Sequence, residues 1–168
     1  MSPRYVVVGP PGAGKTTVSE LLAARLGLPF RDVDADIVEL AGKPISDIFT
    51  DDGEPAFRAM EEEAVAKALV EHEGVLALGG GAVLSAATRD RLREHTVVFL
   101  NVGMAEGVRR TGLAANRPLL TGINPRATFK ALLDARLPLY REVATIEVLT
   151  DSLDPDRVTD AVIKGEQA

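Results

Sequence analysis

Short runs of consecutive apolar residues alternate along this chain with longer stretches in which apolar residues recur every three or four positions. Tyr5-Val6-Val7-Val8 is the first such run, and its unbroken β-branched character predicts a strand buried on both faces. From Thr16 to Leu26 the apolar residues Val18, Leu21, Leu22 and Leu26 keep helical spacing, and Gly27 supplies a stop. Pro29 to Val33 predicts a second strand with an acidic end, and helices are predicted over 34–40 and 45–49, divided by Gly42-Lys43-Pro44. Glu54 to Glu71 reads as a long amphipathic helix with Phe57, Met60, Ala64 and Leu69 inward, closed by Gly74. Val75 to Leu78 predicts a third strand, stopped abruptly by Gly79-Gly80-Gly81. A helix over 86–94, a strand over 96–100 and a short helix over 105–110 come next. The stretch from Gly112 to Asn124 has few apolar anchors, and a loop of that length inside a compact domain is usually functional. A helix over 125–137, a strand over 144–149 and a last helix opening at Asp154, with Pro155 at its first position, complete the pattern.

Such alternation calls for parallel strands joined by helical crossovers. The expected architecture is α/β: a three-layer fold with a five-stranded parallel sheet, helices on both faces and one mobile lid. No repeat or linker divides the chain, so residues 1–168 are expected to form one domain.

Composition narrows the chemistry. There is no cysteine among 168 residues, which removes disulfides, thiolate metal sites and cysteine nucleophiles. His72 and His95 stand too far apart for a recognisable metal cluster, and both are expected to be ordinary solvated residues. A net charge of −6 argues against a general nucleic-acid or membrane-surface binder, so an anionic ligand must be held by a local cluster of cations. No apolar run approaches the ~18–20 residues of a membrane span, and no leader-like segment precedes the first strand. A cytoplasmic enzyme is expected, and a monomer, because no long apolar face is left over after the core is filled.

Gly9-Pro10-Pro11-Gly12-Ala13-Gly14-Lys15-Thr16 matches G-x-x-x-x-G-K-[ST] between a predicted strand and a predicted helix, the context that this motif requires. Glycines let successive backbone N–H groups curl around an anion, and the helix beginning near Lys15 adds its positive end. Lys15 suits the β- and γ-phosphates of a nucleoside triphosphate, and the Thr16 hydroxyl suits Mg²⁺. A guanine-reading N-K-x-D and a D-x-x-G switch are both missing, and the strand at Val75 ends in glycines rather than Asp-Glu. A small kinase with a P-loop fold is the class left.

On the acceptor side, Asp32-Val33-Asp34 lies at the carboxyl end of the predicted second strand, where ligands of such sheets bind. In a strand the two carboxylates would point the same way, one toward Mg²⁺ and the other toward an attacking hydroxyl. A pair of caps opening the next helix is the competing reading. Gly79, Gly80 and Gly81 permit close approach of an acceptor to backbone N–H groups. Arg58 has Glu54 and Glu62 at helical spacing and reads on its own as a surface ion pair. Arg117, in Arg117-Pro118-Leu119-Leu120, sits in the predicted lid. Arg136 sits near a predicted helix end, where it reads equally well as a cationic cap.

Taken together, the phosphate loop, Asp32-Val33-Asp34, Phe57-Arg58 with Glu61, Leu78-Gly79-Gly80-Gly81, Arg117-Pro118-Leu119-Leu120 and Arg136-x-Pro-x-Tyr140 resemble the shikimate kinase family in order and spacing, from Val6 to about Pro155. The resemblance implies transfer of the ATP γ-phosphoryl group to the 3-hydroxyl of shikimate, with ATP, shikimate and Mg²⁺ as the ligands. It implies that Gly9, Gly12, Ala13, Gly14, Lys15, Thr16 and Thr17 hold ATP phosphates, with Thr16 and Asp32 serving the metal. It implies Asp34 as the candidate base, Arg58 and Arg136 on the shikimate carboxylate, Glu61 orienting Arg58, and backbone contacts from Gly79, Gly80 and Gly81. Arg117 belongs to a lid at about 112–124, Arg110 and Pro155 flank the adenine, and an acceptor-binding helical region runs over about 34–62. The lid segment Leu113-Ala114-Ala115-Asn116 departs from the family pattern. Rival readings are a gluconate-type kinase, a nucleoside-monophosphate kinase and a non-catalytic nucleotide-binding regulator. The first lacks so full a match, the second wants a second phosphate clamp, and the third should have lost Asp34 or Arg117.

Overall fold

The computed structural model describes residues 2–10, 12–103 and 125–167. The helix expected over 105–110 and the lid at about 112–124, with Arg110 and Arg117, lie outside the described residues. The strands are β1 (Tyr5–Val8), β2 (Phe30–Asp32), β3 (Val75–Ala77), β4 (Val97–Asn101) and β5 (Ile146–Leu149). They form one sheet in the order β2-β3-β1-β4-β5, with every neighbouring pair parallel. β1 lies at the centre, where Val6 is level with Leu76 on one side and Val97 on the other.

The run of four apolar residues in β1 follows from that central position, since all four are fully buried. Alternate residues serve different layers. Val6 and Val8 join Leu76, Leu78, Val97 and Phe99 against α2 (Val33–Ala41), α3 (Ile45–Asp52), α4 (Glu54–Glu71), α5 (Ala86–Leu92) and α6 (Pro125–Val143). Tyr5 and Val7 join Val75, Val98 and Leu100 against α1 (Lys15–Leu26) and α7 (Pro155–Gln167). Each fully buried Val or Leu contributes about 1.5–3 kcal/mol. The layers thus converge on β1, which fixes the loop that follows it. Among the described residues no helix is long and apolar enough to cross a membrane.

Four sequence expectations need correction. Val33 opens α2 rather than closing β2, because Asp32 takes the cap position and its Oδ1 accepts the Asp34 N–H at 2.9 Å. The inward stripe of α4 is Phe57, Glu61, Val65, Ala68 and Leu69, while Met60 and Ala64 sit half-buried at its edge. A glutamate stands in that stripe because Arg58 pairs with it. Helix α6 runs on to Val143 with Pro138 inside it. Proline there removes one helical hydrogen bond and costs ~3 kcal/mol, but Tyr140 and Val143 beyond it are buried in the core and hold the last turns in place. Arg136 is therefore mid-helix, and the cap reading of it falls. His72 is buried, with Nε2 at 3.1 Å from the Val75 carbonyl, because α4 ends against the start of β3.

Candidate active site

The phosphate loop joins the carboxyl end of β1 to α1. Gly12 and Gly14 have φ of 83° and 84°, the left-handed region that side chains avoid, which is why glycine is needed there. Ala13 is buried in the core beneath the loop, whereas Gly14, Thr16 and Thr17 are exposed at the start of the helix. Lys15 Nζ donates to the carbonyls of Gly9 and Pro10 at 2.8 and 3.1 Å, so its ammonium lies over the loop. A side chain on Gly9 would strike the Leu100 carbonyl of β4.

Asp34 occupies the first turn of α2 and faces the same end of the sheet. Its Oδ1 is buried and without a hydrogen-bond partner. Burial, with the like charges of Asp32 and Glu61, pushes its carboxyl up to about 6, against the pull of Lys15 and Arg58. Glu61, on α4, is 3% exposed, and its Oε2 is likewise unpartnered. Burial pushes Glu61 upward too, opposed by Arg58 through their ion pair. Gly79 sits where these acids meet: a methyl group added to it would lie 2.7 Å from Asp34 Oδ1 and 2.9 Å from Glu61 Oε2. Only a residue without a side chain leaves both carboxylates in place.

Arg58 donates from Nη1 to Glu61 Oε1 at 2.8 Å and from Nε to Glu54 Oε2 at 3.3 Å. Its guanidinium lies against the rings of Phe57 and Phe49, 5.1 and 5.9 Å from their centroids, and would be struck by any side chain at Gly81. Arg136 is only 4% exposed. Burial pulls it below the ordinary guanidinium value and the charge of Arg58 adds to that, while Tyr140 and Glu61 oppose it. Among the described residues no carboxylate lies within ion-pair distance of Arg136. The Tyr140 hydroxyl donates to the Gly80 carbonyl.

Sequence reasoning named Asp34, Arg58, Glu61, Gly79, Gly80, Gly81 and Arg136, and the structure brings all of these together beside the Lys15 loop. Pro155 stands apart at the start of α7, where Asp154 Oδ1 accepts the Arg157 N–H at 2.8 Å. Arg25 of α1 ties that end to the phosphate-loop helix through Asp156, at 3.0 Å, and Asp160. The sequence reading gave no role to Phe49, and to Tyr140 only a place in a motif. Their signal was spacing alone: Tyr140 stands four residues after Arg136, on the same face of one helix.

A parallel sheet ending in a phosphate loop, with a buried acid, a buried arginine and a partly exposed one beside it, defines an ATP-dependent kinase of small molecules. The family model for shikimate kinase matches residues 11–165. A shikimate kinase of Saccharopolyspora erythraea is 70% identical over 164 residues, covering 98% of this chain and 94% of that one. One from Salinispora arenicola is 58% identical over 158 residues, covering 94% of each. The structure of Acinetobacter baumannii shikimate kinase in complex with shikimate superposes with a TM-score of 0.93 at 36% identity, covering 98% of this chain and 92% of that one. A Sinorhizobium meliloti gluconokinase reaches 0.60 at 22% identity and shares the fold. The chain belongs to the shikimate kinase family. Its reaction is that of the family: the γ-phosphoryl group of ATP passes to the 3-hydroxyl of shikimate, giving shikimate 3-phosphate and ADP.

Proposed function

We propose that this transfer is performed by the residues gathered at the ends of β1, β2 and β3. The observation that carries the reading is Arg136, 4% exposed and with no carboxylate within ion-pair distance among the described residues, near Arg58, whose own guanidinium is held by Glu61 at 2.8 Å. Two guanidinium groups so placed suit a planar carboxylate on the acceptor, which each can meet with charge-assisted N–H groups. Gly80 and Gly81 border that region with backbone amides. Asp34 then lies between the acceptor and the phosphate loop, so its carboxylate can orient the attacking hydroxyl and take its proton. A carboxyl at about 6 is mostly ionised at neutral pH yet remains a usable base.

On the donor side, the amides of the Gly9 to Thr17 loop and the Lys15 ammonium receive the phosphates. The donor set fits Mg²⁺ in the manner usual for nucleotide sites, with few protein ligands and several waters. The Thr16 hydroxyl is exposed at the helix start, and Asp32 keeps Oδ2 available while Oδ1 caps α2. Among the described residues no cluster of three or more acidic or histidine side chains forms a metal cage. When bound, Mg²⁺ supplies charge neutralisation at the transferring group. Arg117, from the lid, is assigned to the same charge, and Arg110 and Pro155 to the adenine. The protein is assigned to the cytoplasm as a monomer, with no nucleic-acid or membrane partner.

The test is ADP release with Mg-ATP and a panel of acceptors: shikimate, gluconate, nucleoside monophosphates and none. Release with shikimate alone is expected, and release with gluconate instead would replace the acceptor. Chelation of the metal is expected to abolish turnover.

A further inference from the structure

We propose that Asp151 is a positioning residue for the nucleoside half of ATP: its carboxylate, by accepting the Gly103 N–H, locks the turn after β5 to the chain leaving β4. The inference rests on the reading of the Lys15 loop as the seat of the ATP phosphates.

The topology allots the donor its own side of the sheet. All five strands are parallel, so the segments at their carboxyl ends share one edge. Asp34 follows β2 and the three glycines follow β3, to one side of the phosphate loop, while the ends of β4 and β5 lie to the other. In-line transfer sets the attacking and leaving oxygens on opposite sides of the transferred phosphorus. With the acceptor over β2 and β3, the rest of the nucleotide extends toward β4 and β5. The end of β4 abuts the phosphate loop, since a side chain on Gly9 would strike the Leu100 carbonyl. Pro155, assigned to the adenine, comes directly after the β5 turn.

Hydrogen bonds join these two ends. The Asn101 carbonyl accepts the Thr150 N–H at 2.8 Å and the Thr150 hydroxyl at 2.9 Å, which continues the sheet. Asp151 Oδ1 accepts the Gly103 N–H at 2.9 Å, two residues past the end of β4, so this contact holds the turn rather than the sheet. A methyl group added to Gly103 would lie 2.5 Å from Asp151 Oδ2, and glycine there lets the carboxylate reach the amide. The Leu153 N–H closes the turn on the Thr150 carbonyl at 3.2 Å, with Ser152 in third place at φ 65°. Glycine is the ordinary residue for that place, and among the described residues no other non-glycine residue has a positive φ. Serine keeps so unfavourable a conformation only where the chain around it is fixed. Thr150 and Asp151 fix it before Ser152, and the Asp154 cap of α7 fixes it after. A turn ordered in advance costs a ligand less than one that binding must order.

The experiment compares wild type, Asp151→Ala and Asp151→Asn in steady-state kinetics, with inorganic tripolyphosphate as a competitor of Mg-ATP. Tripolyphosphate can meet the phosphate loop but has no nucleoside. Asp151→Ala is expected to raise the ATP KM about tenfold, with the shikimate KM and the tripolyphosphate inhibition constant within about twofold of wild type. Asp151→Asn keeps an acceptor oxygen and is expected to bring the ATP KM back to within about threefold of wild type. An unchanged ATP KM in Asp151→Ala, an equal rise in the tripolyphosphate constant, or no recovery with asparagine would overturn the proposal. If tripolyphosphate does not compete with ATP in the wild type, the phosphate-loop reading fails and takes this inference with it. Should Asp151→Ala not fold, amide exchange of the unaltered protein decides. Gly103 N–H protection that rises at least tenfold more with ADP than with tripolyphosphate supports the proposal, and equal protection by both overturns it.

Discussion

Asp34 carries the residue-scale chemistry, and its surroundings favour the proton over the charge. With a carboxyl near 6 in the folded protein against 3.8 for an ordinary aspartate, the native state binds more protons between those values. The resulting stabilisation is complete below about 3.8 and is lost as pH rises through about 6. Asp34→Asn removes the cost of the buried charge. It is therefore expected to stabilise the protein by about 1–3 kcal/mol at pH 8, with the gain vanishing near pH 4, in urea unfolding at both pH values. Loss of stability at pH 8 would show that the carboxylate is held by favourable partners. The same variant should lose nearly all phosphoryl transfer while still binding ATP, and wild-type kcat/KM should fall below about pH 6 as the base is protonated. At Gly79 an added methyl must displace Asp34 or Glu61. Gly79→Ala is expected to cut kcat with shikimate at least tenfold and leave nucleotide affinity within twofold, as read by ATP titration and turnover. Lys15, Thr16 and Arg58 were legible in the sequence because a motif or a fixed spacing carried them. The unpartnered Glu61 oxygen and the hydrogen bond from Tyr140 to Gly80 were not, because each depends on what another element brings within hydrogen-bond reach.

At the scale of elements, the sequence read strands and helices well and their ends less well. Asp154 with Pro155 opened α7 as expected, since a cap and its following proline are local features. Asp154→Ala is expected to cost about 1 kcal/mol, seen as a lower Tm, with shikimate KM unchanged because α7 lies on the other layer from the acceptor residues. The aspartate pair at 32 and 34 shows how an element boundary alters chemistry. Expected to share a strand face, they belong instead to a cap and a first helical turn, and one supports the other's backbone. Pro138 misled in the opposite direction, because local propensity said stop while the buried Tyr140 and Val143 carried α6 onward. Tertiary burial decided both cases, and nothing in a short window of sequence reports it.

For the whole molecule, a net charge of −6 coexists with a local group of cations, Lys15, Arg58 and Arg136, set among the acids Asp32, Asp34 and Glu61. Ligands held by this group bind the folded state alone, so shikimate or Mg-ATP at a hundredfold excess over Kd is expected to add about 2.7 kcal/mol. For a chain of this size that corresponds to a rise in Tm of about 5–10 °C, measured by differential scanning fluorimetry. The buried charge of Arg136 has a consequence for how the protein tolerates change. Arg136→Met would fill a similar volume with no charge to desolvate, and such replacements are often neutral or stabilising. A search that ranks variants by heat resistance alone would therefore favour discarding the arginine assigned to the acceptor. Thermal robustness and substrate choice pull this position in opposite directions, and a stabilised enzyme must be found elsewhere in the fold.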